Sequence, residues 1–195
     1  MARLEDLKKR LQPGKVYRRN DLIHWSNSVD RHLDELMQEG TLQKVAQGLY
    51  YYPKKTAFGV VPPDENVLVD SFLKDDRFLV TSPNAYNSLG VGTTQLYNTR
   101  TVYNHKRHGE FKLGNRTFEF RRKPHFPPTT TPEFLLVDLV NNLDSLAEDQ
   151  EDILKNVARK VQSMDTRKVK TYASKYGSVR TKKLFSQFLT QTHAD

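Results

Sequence analysis

Apolar positions near the start of the chain recur first at helical and then at strand spacing. Leu4, Leu7 and Leu11 are three and four residues apart, so they share one face of a helix over 3–11, which Pro13-Gly14 stops. Asn20 is placed to cap a second helix whose apolar surface is Leu22, Ile23 and Trp25. Ser26-Asn27-Ser28 makes a polar turn, and Val29, Leu33, Leu36 and Met37 then line one face of a third helix that Gly40 ends. Beyond it, Thr41–Val45 and Leu49–Tyr52 read as two strands joined at Ala46-Gln47-Gly48. Helix, turn, amphipathic helix and tight hairpin is the order of a winged helix-turn-helix, predicted over 1–62. Its dominant use is to set a helix in the DNA major groove.

Pro53 closes this unit and Val60-Val61-Pro62-Pro63 reads as a linker. A second, mixed α+β domain is predicted over 64–195. It opens with a helix at 65–73, a short strand at 78–80 and a helix from Ser82-Pro83 to Leu89, stopped by Gly90. Strands follow at 99–103, 110–113 and 116–122. Gly114-Asn115 joins the last two as a hairpin, and Phe118 and Phe120 alternate with Glu119 and Arg121, so one face is buried. A Pro- and Thr-rich connector at 124–132 leads to helices over 132–142, 149–163, 168–176 and 179–190. The fold class expected is thus α+β: a winged helix-turn-helix, then a small antiparallel sheet with C-terminal helices.

Charge narrows the partners. The 195 residues carry a formal net charge of +8, which favours an anionic partner, usually nucleic acid. The surplus is uneven. Residues 133–152 hold seven acidic side chains and no Lys or Arg, 165–183 hold seven basic ones against Asp165, and 99–123 hold eight basic ones against Glu110 and Glu119. The acidic stretch is therefore a candidate to dock on the basic ones within the domain. With no Cys there are no disulfides and no thiolate metal sites. No apolar run approaches the ~20 residues of a membrane span, and the first residues lack a signal-peptide core. A cytoplasmic protein with no membrane partner is expected.

The polar face of the third helix presents Asn27, Ser28, Asp30, Arg31, Asp34, Glu35 and Gln38. The N-terminal part of such a helix enters the groove first, which makes Asn27, Ser28 and Arg31 the base-reading candidates. Arg18 and Arg19 are placed to clamp phosphate, and Lys44, Gln47, Lys54 and Lys55 lie on or beside the wing. A further basic surface is expected from Arg100, Lys106, Arg107, Arg121, Arg122, Lys168, Lys170, Lys182 and Lys183. Two other classes stay open. Glu110-Phe111-Lys112, with Asp70, Asp75 or Asp76 upstream, loosely matches a magnesium-dependent restriction-type nuclease site. A winged helix can also serve as a protein-binding adaptor. His105 and His108 lack further ligands, and no phosphate loop or nucleophile elbow is present, so no metal, cofactor or catalytic residue is assigned.

The run SVDRHLDELMQEGTLQKVAQGLYYYPK resembles the helix-plus-wing of AbiEi-type antitoxins, the regulator half of type IV toxin–antitoxin systems. The matching features are the helix ending at Gly40, the strand Leu42–Val45 and Gly48-Leu49-Tyr50. Downstream, TSPNAYNSLGVGTTQLYNTRTVYNHKRHGEFKLGNRTFEFRR is similar to the segment that follows in those proteins, so the resemblance spans roughly 14–125. It implies a DNA-binding antitoxin that represses its own operon at inverted repeats, opposite a nucleotidyltransferase-like toxin, with the neutralising activity in the C-terminal domain.

Overall fold

The computed structural model describes residues 4–191. The chain is mixed α+β, with small antiparallel sheets and a helical C-terminal part. It divides into two compact units, and the chain passes between them more than once. One holds the residues through Phe78 together with Gly109–Phe118. The other holds Leu79–His108 and the residues from Glu119 onward.

In the first unit, helix α1 (Leu4–Lys8) leads to strand β1 (Val16–Arg18), and helix α2 (Arg19–Leu22) continues into a 3-10 turn at Ile23–Trp25. Helix α3 (Val29–Gln38) follows, then strands β2 (Gln43–Ala46) and β3 (Leu49–Tyr51). The sheet order is β1-β3-β2, so β1 is an antiparallel third strand absent from the sequence reading, with Val16 opposite Tyr51. Leu7, Leu11, Tyr17, Leu22, Val29, Leu33, Leu36, Leu42 and Tyr50 form one buried cluster beneath these elements. At the β2–β3 turn Gly48 has φ +69, a left-handed conformation that glycine adopts without a Cβ penalty.

Val60 and Val61, expected to open a linker with Pro62 and Pro63, lie instead in a strand. Strands β4 (Lys54–Thr56) and β5 (Gly59–Val61) pair as a second hairpin, exposed at every position. Helix α4 (Glu65–Leu73) follows, its first N–H groups capped by Asp64, which accepts from Asn66 N and Val67 N. The 1–62 boundary does not describe this unit. It runs on through α4 and takes in the hairpin turn between β8 (Gly109–Leu113) and β9 (Arg116–Arg122). Three contacts account for that: Gly114 N donates to Val45 O at 2.7 Å, Phe72 and Phe111 pack with ring centroids 5.1 Å apart, and Arg116 pairs with Glu65.

Strands β6 (Phe78–Thr81), β7 (Arg100–Asn104), β9 and β8 form a four-stranded sheet in that order. In the second unit, a 3-10 helix at Pro83–Leu89 leads towards β7, and helices α5 (Pro132–Asn141), α6 (Gln150–Gln162), α7 (Thr166–Tyr176) and α8 (Val179–Gln191) complete the chain. Helix α5 is its axis: Phe134 through Val140 are all buried. A helix apolar all round must be enclosed, and α7, α8 and the 3-10 helix pack against it. Ile153, Val157 and Val161 of α6, Val169 and Ala173 of α7, and Phe185 and Phe188 of α8 belong to the same core.

Candidate nucleic-acid interface

The turn between α2 and α3 is built from inside. Ser26 and His32 are both buried, with Ser26 Oγ 2.7 Å from His32 Nδ1, and the same Oγ accepts from Ser28 N at 3.2 Å. Ser26 thus serves the turn's polar groups, and the Ser28 side chain makes no capping bond. The side chains of Asn27 and Ser28 are exposed, at the open N-terminal end of α3. With Arg19, Ile23, Asp30 and Arg31 they border an open depression of about 380 Å³. Arg31 is 70% exposed, its carboxylate neighbour Glu35 lying one turn on at 3.6 Å. His32 was not singled out by the sequence reading; its position next to the apolar Leu33 is the available signal.

Arg19 is not a free phosphate clamp. Its guanidinium donates through Nε and one terminal nitrogen to the two Asp30 carboxylate oxygens, each at 2.6 Å. These hydrogen bonds raise the Arg19 pKa and lower that of Asp30. The pair ties the start of α2 to the first turn of α3. Arg18 lies 3.8 Å from Asp21, a looser contact at the surface. On the β2–β3 hairpin, Lys44 Nζ donates to Gln47 Oε1 at 2.9 Å. Lys54 and Lys55 lie exposed on β4. The structure therefore brings Asn27, Ser28, Arg19 and Arg31 together and sets Lys44 with Gln47.

The proposed basic surface of the second unit is divided. Lys168, Lys170, Lys182 and Lys183 are exposed on α7 and α8, and Lys106, Arg107 and Arg122 are exposed at the ends of β7 and β9. Arg100 is half-buried. Arg121 belongs to the interior network instead. It donates to both Glu119 oxygens at 2.9 Å and to Asn142 Oδ1. Beside it lies a carboxylate that the sequence reading counted only as one charge of the acidic stretch 133–152. Asp138 is fully buried in α5 and accepts from Tyr103 OH at 2.6 Å and Tyr86 OH at 2.7 Å, with Lys123 Nζ 3.9 Å away. Asn142 Nδ2 donates to both tyrosine oxygens and to Asp138 O. Burial raises the pKa of Asp138 and lowers that of Lys123, and it drives both tyrosines well above their ordinary value. On the surface, Asp144 pairs with Arg180 at 3.0 Å. The acidic stretch thus meets the basic ones at Lys123 and Arg180.

Glu110 and Lys112 are exposed on β8, and no group of three or more His, Asp or Glu that could hold a metal ion exists among the described residues. Among those residues no helix is long and apolar enough to cross a membrane.

Comparison with known proteins adds a family and a fold. The chain belongs to a family of unknown function, DUF6088, whose model matches residues 3–175. Among solved structures it is similar to the RV2827C protein from Mycobacterium tuberculosis. The TM-score is 0.60 at 15% identity, covering 97% of this chain and 75% of that one. At that identity the likeness concerns the fold alone. No curated protein matches the chain.

Proposed function

We propose that the protein binds double-stranded DNA sequence-specifically, with residues 14–52 acting as a winged helix-turn-helix and α3 entering the major groove. The observation that carries this reading is the exposed N-terminal end of α3. Arg31, Asn27 and Ser28 stand clear of their own fold there, on a helix fixed from behind by Leu33, Leu36 and the Ser26–His32 pair. Arg presents paired donors to a guanine edge and Asn pairs with adenine. The helix N-terminus adds unsatisfied N–H groups that favour phosphate. The β2–β3 hairpin carries Lys44 and Gln47 as the wing, and the net charge of +8 supplies the sequence-independent attraction.

In this reading the protein is a repressor and the antitoxin of a type IV toxin–antitoxin system, acting at inverted repeats in its own operator. The support for the antitoxin role is the resemblance of residues 14–125 to AbiEi-type regulators. The partner is then a nucleotidyltransferase-like toxin.

Selection of duplexes from a randomised library by the full chain, followed by band shifts across a salt series, tests the DNA reading. An enriched site whose log K falls linearly with log salt is expected. Binding without salt dependence or sequence preference overturns it and favours the protein-adaptor reading, which Asp30, Asp34 and Glu35 on α3 would suit. Co-expression with the product of an adjoining nucleotidyltransferase-like gene tests the antitoxin role. Growth restored by the full chain supports it, and unrelieved toxicity refutes it.

A further inference from the structure

The β4–β5 hairpin is anchored to its own unit at its base and stands exposed beyond it. Lys54, Lys55 and Thr56 face Val61, Val60 and Gly59, and all six residues are exposed. Tyr51 OH holds the base, donating to Val61 O at 2.7 Å and accepting from Lys54 N at 3.5 Å. Thr56 holds the tip, its Oγ1 donating to Gly59 O at 3.0 Å and accepting from Phe58 N at 3.3 Å. Gly59 has φ +113, which admits the sharp return. At the apex stands Phe58 with a relative exposure of 102%, and Val60 on β5 is 51% exposed. A fully solvated Phe ring contributes nothing to the folding of a two-stranded ribbon, which is itself marginal in water.

Charge and area indicate what meets this ring. Residues 53–63 hold Lys54 and Lys55 and no acidic residue. A stable protein interface needs about 800 Å² from each partner, whereas one aromatic ring buries about 150–250 Å². A narrow cationic ribbon whose exposed apolar side chains are Phe58, Val60 and Val61 is too small for the first. It suits a nucleic-acid groove, where a single apolar side chain inserted at a base step is sufficient to unstack it.

Building on the DNA-binding reading above, we infer that the β4–β5 hairpin is a second DNA-contacting arm. Phe58 acts as a wedge between adjacent bases while Lys54 and Lys55 hold the flanking phosphates. Insertion kinks the duplex by about 20–90°, and the deformation is easiest at flexible pyrimidine–purine steps. The arm therefore selects sequence through deformability, independently of the base edges read by α3.

The test uses the full chain and the duplex it selects, with 2-aminopurine placed next to each TpA or CpA step. Wild type is expected to raise the fluorescence at one step and to bend the duplex in a ligation or energy-transfer assay. Phe58→Ala, which removes a fully exposed ring, is expected to bind about tenfold more weakly. It should abolish both the fluorescence rise and the bend and leave the salt slope unchanged. Phe58→Leu, still an apolar wedge, should restore the bend. The Lys54→Ala/Lys55→Ala double variant should flatten the slope of log K against log salt by about two while keeping the fluorescence rise. Phe58→Ala that bends and unstacks DNA like wild type overturns the wedge and leaves the DNA reading standing. Absence of any salt-sensitive duplex binding by wild type overturns both. A wild-type dimer that Phe58→Ala converts to monomer, with DNA bending unaltered, assigns the apex to contact between copies and also overturns the wedge.

Discussion

Replacing Asp138 should reveal how far the second unit depends on its buried polar network. In Asp138→Ala two tyrosine hydroxyls, Tyr86 and Tyr103, lose the acceptor now 2.7 and 2.6 Å away. Each stranded hydroxyl donor costs about 1–3 kcal/mol, about 2–6 kcal/mol together. Two effects pull the figure down: a buried carboxylate no longer has to be desolvated, and Asn142 still donates to both tyrosine oxygens. We expect a net loss of about 3 kcal/mol, a large fraction of a typical stability of about 5–15 kcal/mol. The melting midpoint should fall by about 6–12 °C. Urea unfolding followed by circular dichroism measures this, and the cycle with Tyr103→Phe isolates the Asp138–Tyr103 coupling. Asp138→Asn supplies a pH test. Burial raises the folded-state pKa of Asp138, so its contribution to stability is fully present below the ordinary carboxylate pKa and is lost as pH rises through the raised value. The Asn variant does not titrate there, so its stability relative to wild type should improve as pH climbs through that window. A loss below about 1 kcal/mol in Asp138→Ala, or parallel pH profiles for wild type and Asp138→Asn, would refute the reasoning.

Other expectations concern the first unit. Arg31→Ala should cost about 1–3 kcal/mol on a selected site and relax preference at one base pair, read by competition band shifts. Asp30→Asn removes the anionic partner of Arg19 and one negative charge from α3. Binding should tighten and the salt slope steepen by about one, and an unchanged slope would show that Arg19 does not reach phosphate. At Gly48 an added Cβ meets no atom within 4 Å, so Gly48→Val acts chiefly by straining a left-handed backbone, by about 1–2 kcal/mol. It should weaken duplex binding without shifting the unfolding of the second unit. A chain cut at residue 62 lacks α4 and the 109–118 segment of its own unit. It should unfold at lower urea, with a shallower transition, than a chain joining 1–78 to 109–118 by a short Gly-Ser link.

Elements with a local signal were legible. The spacing of Val29, Leu33 and Leu36 and the stop at Gly40 give α3, Gly114-Asn115 gives the β8–β9 turn, and Pro132 after the connector gives the start of α5. Elements created by distant pairing were not. Val16–Arg18 is a strand only because Tyr51, thirty-five residues on, supplies its ladder. The β4–β5 hairpin is exposed on both faces, so it lacks the apolar alternation by which strands are recognised. The 62/64 division followed a real composition shift at the prolines. The structure instead groups residues by contacts such as Val45–Gly114 and Phe72–Phe111, which join segments more than thirty-five residues apart.

The candidate interface divides in the same way. Helical periodicity was sufficient to turn Arg31, Asn27 and Ser28 outward, but it says nothing of what a neighbouring element supplies. Arg19 and Asp30 are eleven residues apart on different helices, and only the fold brings them within 2.6 Å. That pairing changes the meaning of the acid in α3. An unpaired Asp at the start of a helix facing DNA would repel the phosphates that the helix approaches. Bonded in two places to Arg19, Asp30 is charge-compensated and links α2 to α3. Asp34 has no such bond among the described residues and stands exposed one turn further along. A helix that enters the groove by its N-terminal end would carry Asp34 away from the backbone. In the proposed DNA-binding reading, the positions of the two acids therefore favour an end-on approach of α3 over one in which the whole helix lies flat in the groove.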